Sequence, residues 1–313
     1  MPTNSAPIRI GIVGVGKIVR DQHLPALARN PDFRLVATAS RNASVDGVDS
    51  YPSIEAMLEA EELDAVSLCM PPQFRYRAAL AALEAGKHVF LEKPPGATVS
   101  EVDDLRALAD ARGVSLFASW HSRYGAGVAR ARGWLKERTL KRIAITWKED
   151  VRHWHPGQQW IWEAGGFGVF DPGINAFSIA TAIFPGSLFI NEAKLSVPKG
   201  AQTPVAADIK LESPESEGIL HCSLDWRRSE GEEWMISART ESGVEILLTD
   251  GGAKLSIGGA EQEVSGIGEY PGIYRRFAEL IDERRSDVDV RPLRLVADCL
   301  LVGSTERVEA IQL

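Results

Sequence analysis

The amino-acid sequence predicts an α/β protein of two domains, the first built on a parallel sheet and the second an α+β domain with an open, mostly antiparallel sheet. Two observations predict this. Up to Ser122, short apolar runs alternate with helical patterns, as in βαβ units. Beyond Ser122, strand-like segments follow one another and are joined by turn sequences such as ESG and DGG, which favours antiparallel pairing. We therefore assign residues 1–122 to one domain and residues 123–313 to the other.

The predicted strands of the first domain are short and mostly apolar. A strand that is apolar throughout is typical of a parallel sheet covered by helices on both faces. The predicted strands are Ile8 to Val13, Arg34 to Thr38, Ala65 to Met70, His88 to Glu92 and Ser115 to Ser119. The predicted helices are Pro52 to Glu61, Arg75 to Ala85 and Ser100 to Ala111. We expect the last helix to start at Ser100, because Asp103 follows three residues later as in a capping box.

The second domain begins with a helix and a strand that lead into the aromatic segment VRHWHPGQQWIWE. Its predicted helices are Ala126 to Arg138, Asp171 to Phe184, Ile273 to Arg285 and Pro292 to Ala310. Its predicted strands are Arg142 to Lys148, Ser187 to Val197, Ala206 to Glu212, Gly218 to Trp226, Glu233 to Thr240 and Val244 to Leu248. This order of elements is typical of an α+β domain.

The composition limits the classes of partner. Asp and Glu number 43 against 35 Lys and Arg, a net charge of −8, which argues against nucleic acid. No apolar run approaches the ~18 residues of a membrane span, and MPTNSAP lacks the regions of a secretory signal. The three cysteines (Cys69, Cys222 and Cys299) lie far apart, which argues against a disulfide framework or a zinc site. We expect a cytoplasmic protein without a metal.

The sequence IGIVGVGKIV leads from the first strand into a predicted helix. Gly14 and Gly16 stand where a dinucleotide-binding turn has its first two glycines, one for the tight turn and one for close approach of a pyrophosphate. Lys17 and Ile18 then begin a helix whose N–H groups face the phosphates. Val19 replaces the third glycine, so we expect helix and strand to pack more loosely or in a shifted position. The motif predicts a Rossmann domain, and the alternative is a plain turn.

The second strand ends at Ala39-Ser40-Arg41-Asn42. An NAD-specific site places Asp or Glu near this point to bind the ribose 2′-hydroxyl. Here a hydroxyl and a guanidinium are present instead, and both are able to bind a 2′-phosphate. Ser40 and Arg41 therefore predict that NADP is accepted and preferred, with NAD possible. The alternative is that Arg41 is an ordinary exposed arginine.

The strand His88 to Glu92 is followed by Lys93 and two prolines. It delivers Glu92 and Lys93 to the edge at which open α/β sheets bind ligands. The prolines stop the strand, and a cis bond at Pro94 would give a sharp turn. Taken alone, Glu-Lys-Pro is a common surface tripeptide.

Several motifs now stand in order along nearly the whole chain: GIVGVGKI, CMPPQ, LEKPP, Trp120-His121 and GGFGVFDPGIN. Together they resemble the Gfo/Idh/MocA oxidoreductase family. Within it, GKIVRDQH, the double proline and HWHPGQQWIWE are most similar to the sugar 1-dehydrogenases acting on D-galactose or L-arabinose. The resemblance implies NAD(P)-dependent oxidation of such an aldose at C1 to the aldonolactone.

The resemblance also implies roles for single residues. Lys93 matches a lysine beside the nicotinamide, with Pro71 and Glu92 as further cofactor-side residues. Asp171 matches an active-site aspartate. Four residues later the family commonly has a histidine, whereas this chain and the sugar 1-dehydrogenases have Asn at the position of Asn175. Because an amide does not accept a proton near neutral pH, the role of base falls to Asp171, alone or shared with Lys93.

The sequence supports a physical account of the same residues. Oxidation of a sugar hydroxyl needs a proton acceptor and a positive charge near the developing alkoxide, and Asp171 and Lys93 supply these. Asp171-Pro172 also reads as an N-cap followed by proline at the first helical position, so the alternative is that Asp171 only caps the helix. In a helix, Asn175 lies near the same face as Asp171.

Six of the eight tryptophans are candidates for a sugar-binding pocket: Trp120, Trp154, Trp160, Trp162, Trp226 and Trp234. Sugar C–H faces stack on aromatic rings, while imidazole and indole N–H groups bond to hydroxyls. By resemblance we favour His121, Trp154 and Trp226 as sugar contacts, with Trp234 competing for the last role. The alternative is that about half of the rings fill the core. A zinc site formed by His121, His153 and His155 lacks the usual ligand spacing.

Two other functions remain open from the sequence. The chain could oxidise a different sugar or a cyclitol, or it could be a nucleotide-binding regulator without catalysis, against which Lys93 and Asp171 argue. The family likeness further implies a homo-oligomer, a dimer or tetramer formed through the exposed face of the second domain's sheet.

Overall fold

A computed structural model describes residues 6–311. Most of the MPTNSAP segment, the last two residues and the side chain of Glu217 lie outside the described residues. The chain divides into two compact units, each described separately below. The first unit contains the residues up to His121 together with Tyr270–Val290, and the second contains Ser122–Glu269 together with the segment from Arg291 onward. The sequence had placed residues 270–290 in the second domain.

The elements are numbered along the chain. The strands are β1 (Ile8–Val13), β2 (Phe33–Ala39), β3 (Asp49–Tyr51), β4 (Ala65–Leu68), β5 (His88–Glu92), β6 (Leu116–Ser119), β7 (Leu140–Lys148), β8 (Phe189–Pro198), β9 (Ala206–Ser213), β10 (Ser216–Asp225), β11 (Glu233–Thr240), β12 (Glu245–Thr249), β13 (Lys254–Ile257), β14 (Ala260–Glu261) and β15 (Ser304–Val308). The helices are α1 (Leu24–Ala28), α2 (Ile54–Ala60), α3 (Arg75–Glu84), α4 (Val99–Arg112), α5 (Val128–Leu135), α6 (Val151–Trp154), α7 (Phe170–Ile183), α8 (Glu269–Glu283) and α9 (Arg291–Val302).

The sheet of the first unit has the strand order β3-β2-β1-β4-β5-β6, and its strands pair in parallel. The strands β4, inside the sheet, and β6, at its edge, are buried at every position, which explains their mostly apolar sequences. The predicted Rossmann architecture is confirmed. Because the strands are parallel, their carboxyl ends meet at one edge. The order reverses between β1 and β4, and such a switch point is where open α/β sheets bind ligands.

The start of α4 differs from the prediction. Thr98, and not Ser100, is the N-cap, and its hydroxyl accepts the N–H of Glu101 at 3.2 Å. The Glu101 carboxylate in turn accepts the Thr98 N–H at 3.3 Å. A complete capping box therefore lies two residues upstream of the predicted one, because Glu reaches back to the cap more readily than Asp103 does.

The second unit contains a sheet with the order β14-β13-β12-β11-β7-β10-β9-β8-β15. Its pairs are antiparallel, apart from β10 with β7 and β15 with β8. This confirms the predicted open and mostly antiparallel sheet. The helix α7 is buried along nearly its whole length, and it packs against α5 and α9.

The end of the chain was predicted as one helix from Pro292 to Ala310, and this is wrong. The helix α9 ends at Val302, and β15 follows. A Cβ atom at Gly303 would lie 2.3 Å from the Cys299 carbonyl oxygen, so glycine is required where the chain leaves the helix.

No helix of residues 6–311 is both long and apolar enough to cross a membrane. Within the same residues, no group of three or more His, Cys, Asp or Glu side chains is arranged to hold a metal ion.

Candidate active site

The glycine turn after β1 holds the backbone at the switch point of the first unit. Gly14 has a φ of +88°, a conformation that favours glycine. A Cβ atom there would lie 2.7 Å from the Met70 nitrogen, so the turn packs directly on the loop after β4. Gly16 is exposed, and a Cβ built on it would meet no atom within 4 Å. The turn thus leaves an open stretch of backbone over which a pyrophosphate fits.

The helix after the turn explains how the chain accommodates the missing third glycine. Val19 is fully buried and begins a π-helical turn, Val19–His23, that continues into α1. Such wide turns insert an extra residue into a helix and are frequent at functional sites. A local change of helix type therefore accompanies valine at the position of the third glycine. Lys17 and Ile18, just before this turn, are exposed.

Ser40 and Arg41 lie at the carboxyl end of β2, where Ser40 is half-buried and Arg41 is exposed. The Ser40 N–H donates to the Tyr51 carbonyl at 2.9 Å, which ties the loop to β3. The guanidinium of Arg20 reaches the same loop and donates to the Ser44 carbonyl at 3.0 Å. Sequence reasoning missed Arg20, since only folding brings this second positive charge to the loop.

The segment of Lys93 is held by a buried arginine. Arg75 is 2% exposed, and its guanidinium donates to the carbonyls of Glu92 and Pro94, on either side of Lys93, and of Met70. The peptide bond between Lys93 and Pro94 is cis. Lys93 itself is half-buried at the carboxyl end of β5. Arg75 therefore fixes two loops of the ligand-binding edge together, and no sequence motif identified it beforehand.

Glu92 is a buried carboxylate that accepts the N–H of Lys93. Its Oε1 atom accepts the Tyr270 hydroxyl at 2.6 Å and lies 3.4 Å from His23 Nε2. His121, at the end of the next strand, stacks on Tyr270 with 5.3 Å between ring centroids. Glu92, predicted as a cofactor-side residue, is thus 3% exposed and supports the backbone of Lys93.

In the second unit, Asp171 lies inside the first turn of α7, since the helix begins at Phe170 and its N-cap is Val169. The interpretation of Asp171 as the N-cap is therefore wrong. Its carboxylate lies 3.2 Å from Nε2 of His155. Sequence reasoning had considered His155 only as a metal ligand. A histidine is therefore present at the aspartate after all, but it comes from the aromatic segment and not from α7.

The hydrogen bonds around His155 assign its protons. The Trp160 indole, which is only a donor, donates to Gln158 Oε1 at 3.1 Å. This oxygen also lies 3.3 Å from His155 Nδ1, so Nδ1 carries a hydrogen. A hydrogen bond between Nε2 and the Asp171 carboxylate then needs a second proton on the pair. The His155–Asp171 pair therefore combines an imidazole and a carboxylate at a separation over which they are able to share a proton.

Asn175 lies one turn after Asp171 on α7 and is half-buried. The spacing of four residues places both side chains on the same helix face. The main-chain carbonyl of Asn175 accepts a hydrogen bond from the Ser178 hydroxyl at 2.7 Å.

Two tryptophans of the second unit, Trp226 and Trp234, bind the same carboxylate. Glu149 is 4% exposed and accepts the indole N–H groups of Trp226 at 3.0 Å and of Trp234 at 2.8 Å. Trp226 is 0% exposed and contacts the His155 ring, with 5.1 Å between centroids. Trp226 therefore has no exposed face for a sugar in this structure, in contrast to the prediction. It supports His155 instead.

The rings of Trp154 and Trp234 are more accessible than that of Trp226. Trp154 is 36% exposed and lies 5.7 Å from the half-buried Trp234. Trp234, the competing candidate, thus has the better placement for stacking. The aromatic segment is tied to the start of α7, because Gly168 N–H and the Thr203 hydroxyl both donate to the Ile161 carbonyl, at 3.0 Å and 2.7 Å.

Residues 8–119 match the oxidoreductase family with an NAD-binding Rossmann fold, Gfo/Idh/MocA. A galactose 1-dehydrogenase from Pseudomonas fluorescens is 47% identical over 97% of this chain and 98% of its own length. The chain belongs to the Gfo/Idh/MocA oxidoreductase family. A D-galactose-1-dehydrogenase from Rhizobium etli has 56% identity and a TM-score of 0.93, with 100% of both chains covered.

A more distant neighbour of this oxidoreductase shares the fold alone. A 3-ketoreductase from Actinomadura kijaniata has 19% identity, a TM-score of 0.82 and coverage of 96% of this chain and 99% of its own. The first unit of the oxidoreductase is an NAD-binding Rossmann domain, and the open backbone at Gly16 and the cationic loop at Ser40 and Arg41 fit a dinucleotide.

Proposed function

We propose that this oxidoreductase oxidises an aldose, D-galactose or L-arabinose, at C1 to the aldonolactone with NADP as the preferred cofactor. The observation that carries the proposal is the pair of Asp171 and His155, 3.2 Å apart, which joins α7 to the tryptophan-rich aromatic segment. Support also comes from the two full-length relatives that are named for galactose oxidation at this carbon.

Asp171 and His155 handle the proton of the sugar hydroxyl. The carboxylate accepts that proton as the C–O bond gains double-bond character. The Nε2–H group of His155 holds the carboxylate in one orientation, and Gln158 holds the ring through Nδ1. Asn175 orients the substrate through its amide. Lys93 stabilises negative charge on the reacting oxygen through its ammonium group.

The cofactor, when bound, accepts the hydride at its nicotinamide ring. The residues for it are Gly14, Gly16, Lys17 and Ile18 at the first turn, Ser40 and Arg41 at β2, and Pro71, Glu92 and Lys93 at the later strands. Ser40 and Arg41 bind the 2′-phosphate of NADP, and Arg20 adds a second positive charge to the same loop.

Arg41→Ala tests the cofactor preference. We expect the KM for NADP to rise about tenfold, because one charge-assisted contact to phosphate is lost. The KM for NAD should change less than about twofold, since NAD has no 2′-phosphate. Arg34→Ala, which removes an exposed arginine from the same strand, is the control. An equal rise for both cofactors would show that Arg41 does not read the 2′-phosphate.

Trp154 and Trp234 provide faces for the sugar ring, and His121 bonds to its hydroxyls. D-Galactose and L-arabinose have the same configuration at C2, C3 and C4 and differ by a hydroxymethyl group. Since one such group is worth about 1–3 kcal/mol in a pocket, we expect activity on both with modest selectivity.

A panel of sugars with NAD and NADP side by side tests the proposal. The panel contains D-galactose, L-arabinose, D-glucose, D-xylose and myo-inositol, with reduced cofactor followed by absorbance and lactone identified by NMR. We expect turnover of D-galactose and L-arabinose and loss of turnover in Lys93→Ala and Asp171→Ala. Preference for D-glucose or myo-inositol would refute the substrate class. Binding of the nucleotide without turnover of any compound would support a regulator instead.

Two further expectations belong to this proposal. The second unit's sheet exposes Phe189 by 51% and Ile219 by 73%, which supports a homo-oligomer formed through this face. Light scattering at micromolar concentration tests it, and a monomer would refute it. The cytoplasmic location stays a prediction from the cysteine content.

A further inference from the structure

A buried polar cluster in the first unit is centred on His23. This residue ends the π-helical turn after β1 and is 0% exposed. Its Nδ1 atom lies 2.7 Å from the Tyr274 hydroxyl. Its Nε2 atom lies 3.4 Å from Glu92 Oε1 and 3.6 Å from Cys69 Sγ. The cluster therefore connects the glycine turn with the end of β5.

The second half of the cluster belongs to Glu92. Its Oε1 atom faces His23 and the Tyr270 hydroxyl, whereas its Oε2 atom accepts the N–H of Lys93. One carboxylate thus joins a buried histidine to the backbone of Lys93, the residue that stabilises negative charge on the reacting oxygen in the proposed function. His23 and Lys93 are connected through two consecutive contacts of this one group.

The charges of the cluster are unusual for a buried site. Burial alone would raise the pKa of Glu92, but the hydrogen bond from His23, the positive charges of His121 and His23 and the Tyr270 hydroxyl lower it to about 2. Burial alone would lower the pKa of His23, but Cys69, Tyr274 and Glu92 raise it well above its usual value. At neutral pH the two groups form a buried ion pair.

A buried ion pair contributes little net stability compared with well-packed apolar side chains, because desolvation of the charges offsets their attraction. Stability alone is therefore a weak reason for this pair at the centre of an aromatic cluster, where the His23 ring contacts Phe90, Tyr270 and Tyr274. What the pair does achieve is a single fixed position for the Glu92 carboxylate and hence for the Lys93 N–H.

We propose that His23 is a positioning residue for Lys93, which it orients by fixing the Glu92 carboxylate that binds the Lys93 main-chain N–H. The inference rests on the role given to Lys93 in the proposed function. A displacement of about 1 Å at a reacting group costs up to about 100-fold in rate, so loss of the donor at Nε2 lowers kcat although His23 does not touch the substrate.

Two substitutions at His23 separate positioning from packing. His23→Gln carries an amide N–H to the place of Nε2 and keeps the bond to Glu92. His23→Asn keeps a polar atom near the place of Nδ1, toward Tyr274, and has none near Nε2. We expect His23→Asn to lower kcat by about 10- to 100-fold and His23→Gln by less than about threefold. The sugar KM and the Kd of NADP, measured by fluorescence, should stay within about twofold in both variants.

His88→Asn is the matched control. His88 begins the same strand β5 and accepts the Ser115 N–H at its Nδ1 atom, 2.9 Å away. The substitution His88→Asn removes a comparable hydrogen bond at the opposite end of β5 from Lys93, so kcat should stay within about twofold. If His23→Asn does not fold, as judged by circular dichroism, Tyr270→Phe tests the same idea. It removes only the hydroxyl that donates to Glu92, and we expect a loss in kcat of about 3- to 10-fold.

The outcomes are distinct. A selective loss of kcat in His23→Asn with recovery in His23→Gln supports the proposal. Equal loss in both variants, a change confined to KM or Kd, or wild-type kcat in folded His23→Asn would overturn it. The proposed function fails separately, if Lys93→Ala keeps near-normal turnover. Loss of turnover in Lys93→Ala with full activity in His23→Asn removes only the positioning role.

Discussion

Each unit of the molecule contains a largely buried pair of a histidine and a carboxylate, and these two pairs differ in their access to solvent. In the first unit, His23 Nε2 lies 3.4 Å from Glu92 Oε1, and the side chains are 0% and 4% exposed. In the second unit, His155 Nε2 lies 3.2 Å from Asp171 Oδ2, and the side chains are 19% and 7% exposed. The separations are similar, so the chemical difference comes from the surroundings.

The surroundings decide what each pair can do. A sealed pair keeps its charges and fixes its neighbours, because no acceptor or donor from solvent competes for it. A pair with partial access is able to exchange a proton with a substrate. The Glu92 carboxylate contacts Tyr270, His23 and a backbone N–H. The His155 imidazole contacts the carboxylate of Asp171 and the amide side chain of Gln158. We therefore expect the first pair, the sealed pair, to hold its neighbours in place and the second, the reactive pair, to take part in proton transfer.

The largest expected effect concerns the reactive pair. Asp171→Asn preserves the shape of the side chain and removes the proton acceptor, so we expect kcat to fall by about 1,000-fold or more. Steady-state kinetics with D-galactose measure the loss. Asp208→Asn is the matched control, because Asp208 forms an exposed pair with His221 at 2.9 Å and should keep kcat within about twofold. A kcat of Asp171→Asn within tenfold of the wild type would remove Asp171 from proton transfer.

The next effect concerns the sealed pair and stability against pH. The pKa of Glu92 is lowered from 4.5 to about 2. Ionisation of this carboxyl therefore stabilises the folded protein by about 3 kcal/mol relative to the protonated form, and this stabilisation is fully present above pH 4.5. It is lost as the pH falls toward 2. The raised pKa of His23 gives the opposite dependence of stability on pH. The stability that His23 contributes is complete below about pH 6.5 and declines at alkaline pH, as the pH rises through the pKa of the folded state.

Urea unfolding of the wild type and Glu92→Gln measures this dependence. We expect the difference in free energy of unfolding to be constant from pH 5 to 6.5 and to shrink as the pH falls below 4.5. A difference that stays constant down to pH 3 would contradict a depressed pKa for Glu92.

A smaller effect is expected at His155. His155→Gln keeps a donor toward Asp171 but holds no transferable proton, so kcat should fall by about 30-fold, less than in Asp171→Asn. The double variant should be no slower than Asp171→Asn alone, because both residues act on one proton. His221→Gln, at the exposed pair, is the control. Fully additive losses would show that His155 and Asp171 act independently.

The smallest effect concerns the accessible ring near the reactive pair. Trp154→Ala should raise the KM for D-galactose about tenfold with kcat within about threefold, since a stacking face is lost without change to the proton acceptor. Trp134→Ala is the control, because this half-buried ring in α5 packs under the Arg138 guanidinium at 4.1 Å. An unchanged KM in Trp154→Ala would assign the sugar face to other rings.

Elements with a strong local pattern could be predicted from the sequence. The bounds of β1, β5 and β11 match the predicted strands, and in β1 and β5 a mostly buried apolar run marks the strand. The short β3 was missed, since Asp49–Tyr51 has an exposed polar pattern and pairs only because β2 lies beside it. The strand β15 was missed although Gly303 marks the end of α9, because the apolar period of the helix was extended too far.

The candidate site was harder to predict than the fold. The motifs identify Gly14, Lys93 and Asp171 by their place after a strand or at a helix start. Contacts between distant residues leave no local signal: His23 meets Glu92 across 69 positions, and His155 reaches Asp171 only because a glycine-rich turn bends the chain back. The burial of Trp226 likewise depends on tertiary packing that composition does not reveal.

The carboxylate of Glu149 has a consequence for altering the choice of sugar. Because Glu149 binds Trp226 and Trp234 through separate oxygens, the positions of the two indole rings depend on each other. Replacing either ring alone removes one hydrogen-bond donor from the buried Glu149 carboxylate. Such single variants are expected to be destabilised, so a library of single substitutions loses them before their sugar specificity is measured. Randomising the three positions together, with neutral residues allowed at 149, is the way to reshape this part of the second unit.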